Sequence, residues 1–389
     1  MTRGTGGGLE ALTRHERDAL RTLLILATAA AGGSNRTDEL TRLANAAPIA
    51  ALPAAAAMHR VSGTVLRGLD GVEHVPCELR EQLNAVRQRS SLHHLLVVGA
   101  LDQIGRAFDE AGLAWVVMKG PVVAALLYPE VGDRSYADLD LLVDRRDFPR
   151  AMQLLEDFGY HHSIHNWALA EAMLAGQVGL QSRALHIDLH WHLHYSREDR
   201  RPFAIHPEAM IGRARRVVVS GVTVPAFDPV DRLLSLAFHA ARSGGHRLIW
   251  LKDIQRAVAI GRPDLDDLVR RCYEFRCGPP VGIMLDRART LLDAEIPSEV
   301  VRALTPRSLR TLERLNDRHM RPVRLHERDT VTRFLTRSAR SSAPTTLAAI
   351  PTRLVRQLRR NLFPPAANET DNPDEKERYL NAVTVAVDR

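Results

Sequence analysis

Asp138 and Asp140 stand two apart in the run Asp138-Leu139-Asp140-Leu141-Leu142-Val143. In a strand, alternate side chains leave the same face, so both carboxylates point one way while Leu139, Leu141 and Val143 enter a core. Neighbouring carboxylates repel unless a cation lies between them, and oxygen-only ligation suits Mg²⁺. A third carboxylate, Asp188, sits in a strictly alternating stretch, with Leu185, Ile187, Leu189, Trp191 and Leu193 on one face. His186, Asp188, His190, His192 and His194 take the other, which predicts a half-buried strand over 185–195. A sheet that sets Asp188 beside Asp138 and Asp140 makes a metal site able to activate an attacking hydroxyl. Alternate residues on one strand diverge, so the four histidines read as a polar face rather than a zinc site. His190, next to Asp188, is the one taken as a substrate or phosphate contact.

The elements around these residues are legible from their punctuation. The apolar run 115–118 predicts a strand that ends at Lys119-Gly120, and Pro121 suits the first turn of the helix that follows. Gly120 supplies a tight turn, and Lys119 a compact cation for a phosphate. Lys119 can instead pair with a nearby acid such as Asp133. Arg134, in the loop entering the Asp138 strand, is a candidate two-pronged phosphate contact. After the sheet, Lys252 and Asp253 fall on a helix, where they either border the cleft or form an ordinary surface pair.

Helices are expected over 9–31, from Thr37, over 58–69 and over 78–110, forming a layer that carries no obvious chemistry. An amphipathic helix over 144–158 closes at Gly159. A strand near 178–183 and a Val-rich hairpin through Ser220-Gly221 complete the β-structure. Asp228 can cap a helix that runs to the break at Gly244-Gly245, and helices continue to about residue 360. These readings give an α+β chain in five parts: a disordered lead (1–8), an N-terminal helical region (9–111), a core (112–228), a C-terminal helical region (229–363), and a polar loop with a short last element (364–389).

The apolar share of 45% and charged share of 25% are those of a soluble globular protein. A formal charge of +7 comes almost entirely from arginine, because Lys119, Lys252 and Lys376 are the only lysines. Such a bias weakens the case for nucleic acid, and the Arg-rich stretch 302–360 is interspersed with acids and lacks an aromatic stacking run. Three scattered cysteines rule out a disulfide framework, and no stretch approaches the length of a spanning helix. A cytoplasmic protein is expected.

Taken together, Lys119-Gly120, the run from Arg134 to Val143, Gly159-Tyr160 and the run Ile187 to Trp191 resemble the uncharacterised nucleotidyltransferase family of the DNA polymerase β-like superfamily. His239 and the run Arg247 to Ile254 resemble that family's helical portion. The resemblance implies a small mixed sheet flanked by helices, with metals on Asp138, Asp140 and Asp188. It departs from the superfamily at the phosphate turn, where Lys119-Gly120-Pro121 replaces the usual Gly-Ser. The implied activity is Mg²⁺- or Mn²⁺-dependent transfer of a nucleoside monophosphate from an NTP. Lys119, Gly120 and Arg134 would hold the phosphates, and the acceptor is expected to be a small molecule or peptide rather than nucleic acid. The rival is a nucleotide-binding or antitoxin-like protein that keeps the fold without turnover, which the altered turn permits.

Overall fold

The protein is described from a computed structural model, which covers residues 9, 11–30, 36–164, 166–320, 336–340, 344–348, 350–351 and 372–386. The lead 1–8 and most of the Arg-rich stretch beyond 320 lie outside the described residues. Helices α1 (Arg14–Ala30), α2 (Thr37–Ala46), α3 (Leu52–Met58) and α4 (Ser62–Gly68) lead to the long α5 (Cys77–Glu110). The expected helix over 58–69 is thus two short helices, broken at Arg60, whose φ of 58° is left-handed. The core follows as β1 (Trp115–Val117), α6 (Pro121–Leu127), β2 (Asp138–Val143), α7 (Phe148–Asp157), β3 (His161–His162), α8 (Trp167–Met173), β4 (Gln177–Gln181) and β5 (His186–His190). After two short helical turns come the hairpin strands β6 (Arg215–Val219) and β7 (Val222–Ala226). The C-terminal helices are α9 (Pro229–Arg242), α10 (Leu248–Ala259), α11 (Leu265–Glu274), α12 (Gly278–Leu292), α13 (Ser298–Leu304), α14 (Arg307–Met320) and α15 (Pro373–Thr384).

The seven strands form one mixed sheet in the order β3-β4-β5-β2-β1-β7-β6. Its centre is β2, antiparallel to β1 and parallel to β5. On one face Leu139, Leu141, Val143, Ile187 and Leu189 pack against the second half of α5, α7, α8 and α15. The other face carries Val116 and Leu142 into a larger core, in which α1–α4 pack with α9–α12. The helices that precede and follow the sheet therefore share a single core, and the even-numbered side chains of β2 point towards it.

Local signals explain several boundaries. Asp228 caps α9 by accepting from the Val230 and Asp231 amides, and such a cap is typically worth about 1 kcal/mol. The β6–β7 turn uses Ser220 and Gly221 at positive φ, as a two-residue hairpin demands.

Two sequence expectations need correction. The strand expected over 185–195 stops at His190, because the Trp191 and His192 amides both turn onto the Gly176 carbonyl. His192 and His194 are consequently buried rather than on a solvated polar face. The last helix also begins at Pro373, within the expected loop, capped by Asn372. Its Tyr379 is fully buried beside Trp167 and Phe148, so this element belongs to the core.

His194 lies between Phe203 and Phe238 with ring centroids 5.0 and 4.9 Å away. Burial first, then Arg242, His192, Arg200 and Arg340, push its pKa well below 6.5. The unfolded chain therefore binds a proton that the folded chain refuses, and stability falls as pH drops below about 6.5, by up to ~1.4 kcal/mol per pH unit. His194→Phe is expected to shrink the loss of melting temperature between pH 7 and pH 5. An identical loss in both proteins would remove His194 from this account.

Candidate active site

The strand register brings the carboxylates together. In the parallel β2–β5 pair Asp138 stands opposite His186, Asp140 opposite Asp188 and Leu142 opposite His190. The β1–β2 ladder runs on through the Met118 amide, which donates to the Asp140 carbonyl at 3.1 Å, and so sets Lys119 beside the site. Lys119 Nζ lies 3.1 Å from Asp140 Oδ1, and His190 Nε2 lies 3.3 Å from the same oxygen. Asp133, the other acid considered for Lys119, is taken instead by Arg67 at 2.6 Å.

Burial works against the Asp140 charge, but Lys119 and His190 outweigh it and hold the carboxyl well below the usual range. For Lys119 burial is likewise the largest influence, and Asp140 and Asp138 overcome it to raise the ammonium. Asp138 behaves oppositely. Burial, then repulsion from Asp140, raises it, and Asp188 adds to the effect. Three carboxylates with too little cation between them are the electrostatic condition for metal binding.

The ligand atoms of Asp140, Asp188 and His190 lie within 4.8 Å of one another. Asp140 Oδ2 is buried and accepts no hydrogen bond, and His190 Nδ1 is likewise buried without a partner. An orphaned carboxylate oxygen costs energy unless an absent group satisfies it, so the donor set fits a divalent cation. This close group contains His190 where the sequence reading had Asp138. Asp138 sits at the rim and lines the adjoining cleft.

Gly120 turns with φ 58° and ψ −113°, a combination open only to glycine, and an added Cβ would stand 3.2 Å from the Asp138 carbonyl. The turn is braced by Arg134, which donates to the Gly120 carbonyl at 3.2 Å. The arginine's fork is engaged elsewhere: Nε and Nη2 each reach an oxygen of Asp253 at 2.8 Å. The expected two-pronged phosphate contact is therefore a two-pronged buried ion pair, joined at 2.7 Å by the Tyr128 hydroxyl. Nor are Lys252 and Asp253 a surface pair. Both are buried, and Lys252 reaches Gln255 and the Ala29 carbonyl.

Beside the carboxylates opens a cleft of about 240 Å³, lined by Lys119, Asp138, Arg60, His239, Arg247 and Trp250 among others. His239 is neutral there: burial, then Lys119, brings its pKa down to about 3. The sequence reading missed Arg60 as a site residue, because its helical layer shows no motif. Contacts distant in sequence place it: the Leu248 and Ile249 amides at the start of α10 donate to the ring and carbonyl of its neighbour His59. The only local signal is the left-handed backbone at Arg60, which the sequence does not announce.

A mixed sheet whose parallel strands pair two aspartates, next to a lysine-glycine turn and a cationic cleft with an aromatic wall, is a frame for phosphate chemistry. The family described as uncharacterised nucleotidyltransferase matches residues 45–293, well over half of the chain, and the protein belongs to that family. The match begins before the stretch that carried the sequence resemblance and takes in the α3–α4 turn with Arg60. No curated protein matches the chain. Among the described residues, no helix is long and apolar enough to cross a membrane.

Proposed function

We propose that the protein transfers a nucleoside monophosphate from an NTP to a hydroxyl or amine of a small molecule or peptide, in a reaction dependent on Mg²⁺ or Mn²⁺. The observation that carries this reading is Asp140 and Asp188 in register on parallel strands, with a buried, unpartnered Asp140 oxygen and with Lys119 and Asp138 lining the adjoining cleft. Asp140, Asp188 and His190, with Asp138 at the rim, would hold the cation. When bound, it would neutralise triphosphate charge and favour the nucleophilic form of the acceptor.

The chain's own residues do the rest. Lys119, Arg60 and Arg247 bind phosphate oxygens, and the Trp250 ring offers a stacking face for the base. Gly120 lets the turn approach the phosphates closely. The acceptor oxygen or nitrogen bonds to the α-phosphorus, the α–β bridging bond breaks, and pyrophosphate leaves. The acceptor's proton passes to Asp188. Most of the rate gain comes from positioning and charge, as in other phosphoryl transfers.

Lys119→Ala is expected to weaken NTP binding by ~1.5–3 kcal/mol, the range for a hydrogen bond to a charged group, with Lys119→Arg recovering part. The change also strips Asp140 of its cation, so a lower melting temperature should accompany it. Calorimetric titration of NTP with Mg²⁺ checks this, and an unchanged dissociation constant would remove Lys119 from the phosphate site. The rival binding-only reading has its own signature. NTP would raise the melting temperature equally with and without Mg²⁺, and equally in Asp188→Asn.

A further inference from the structure

We propose that the protein is a homodimer, formed by antiparallel pairing of α5 with α5 of a second copy about a twofold axis between Leu95 and Leu96. The 34-residue α5 buries its core face through Val97, Leu101, Ile104 and Phe108. Its outward face is not polar: Leu92, Leu95 and Leu96 are 63%, 62% and 60% exposed and form one contiguous apolar cluster. Scattered exposed leucines need no explanation, but three within five residues on one helix face do.

Gly99 continues the cluster one turn further. Glycine weakens a helix interior, and its usual excuse is a neighbour too close for a side chain. Gly105 has that excuse, since a Cβ there would stand 3.3 Å from the Trp115 ring. At Gly99 an added Cβ would meet nothing within 4 Å, so no described contact of this chain requires the glycine. A partner helix would supply the reason.

The occupant is identified by self-complementarity. About an axis midway between positions 95 and 96, Leu95 meets Leu96 of the partner subunit, and Leu92 meets the partner's Gly99, a knob against a gap. Arg89 then stands opposite the partner's Asp102, and Gln88 opposite the partner's Gln103. A twofold interface must use one patch twice in this way. With 3.6 residues per turn, all these positions fall on a single face of the helix. Arg89 forms no ion pair among the described residues, whereas Asp102 is held by Arg106 four residues on, an exposed pair whose carboxylate the partner's Arg89 would share. The glycine–leucine contact lets the axes approach to the close end of ordinary helix packing, about 8 Å.

Sedimentation equilibrium on the full chain should give a species of twice the 43.3 kDa chain mass. Leu95→Glu should give the monomer with an unchanged far-ultraviolet spectrum, because the side chain it replaces is exposed. Arg89→Glu and Asp102→Arg should each raise the dimer dissociation constant at least about tenfold, and the double exchange should restore it, as expected of a directly opposed charge pair. A monomeric wild-type protein would overturn the proposal. So would a dimer that survives Leu95→Glu, or a double exchange no tighter than either single variant.

Discussion

Asp138→Asn combined with Asp140→Asn is expected to lower nucleotidyl transfer by at least ~10³-fold, since metal-assisted charge stabilisation is worth several kcal/mol and each 1.36 kcal/mol is a factor of ten. The two substitutions act differently on the fold. Asp138 is repelled by Asp140 and Asp188, so neutralising it relieves strain in the metal-free protein. Asp140 is the acid that Lys119 and His190 share, so neutralising it strands a lysine. The pair of changes leaves the buried Lys119 ammonium without either acid that stabilises it, so the melting temperature should fall while transfer disappears. Asparagine keeps the shape of each side chain, so loss of transfer in a protein with an unchanged circular dichroism spectrum isolates the charge. Transfer that persists in the double variant would sink the metal assignment.

The second large effect falls on stability. Asp253→Ala should cost about 3–5 kcal/mol, the usual result of leaving a buried charge without its partner. Arg134 would keep its guanidinium in the interior with only the Gly120 carbonyl to receive it, and the Tyr128 hydroxyl would lose its acceptor. Chemical denaturation measures the loss, and a change under about 1 kcal/mol would mean that water replaces the carboxylate. Replacing both partners, as Arg134→Met with Asp253→Leu, should recover most of the stability, because apolar isosteres avoid the desolvation cost. It should not recover NTP affinity, since the brace on the Gly120 turn is gone.

How much was legible beforehand follows the range of each interaction. The alternation around Asp138 and Asp188 gave their common face, and β2 and β5 do pair in register. The Asp228 cap and the hairpin at Ser220-Gly221 depend on neighbouring residues and are where local chemistry put them. The Arg134–Asp253 pair is not legible in the sequence because the two lie 119 positions apart, and an arginine beside a phosphate motif looks the same whether it faces ligand or a buried acid. The histidine alternation ran past its strand because nothing in the pattern announces that Gly176 will capture two amides. Arg60 reaches the cleft only because the N-terminal helices share a core with the C-terminal ones, a fact about packing rather than periodicity.

The acidic centre as a nucleotidyl-transfer site is tested most directly by the fate of the NTP phosphates. The wild-type chain, supplied with Mg²⁺ and a pool of small-molecule and peptide acceptors, would be given NTP labelled either at the α- or at the γ-phosphorus. Label from the α position should appear on an acceptor and label from the γ position in pyrophosphate. Both should cease with a chelator and in the Asp138→Asn/Asp140→Asn chain. Movement of the γ-label alone onto an acceptor, or α-label transfer undiminished in the double variant, would contradict the assignment.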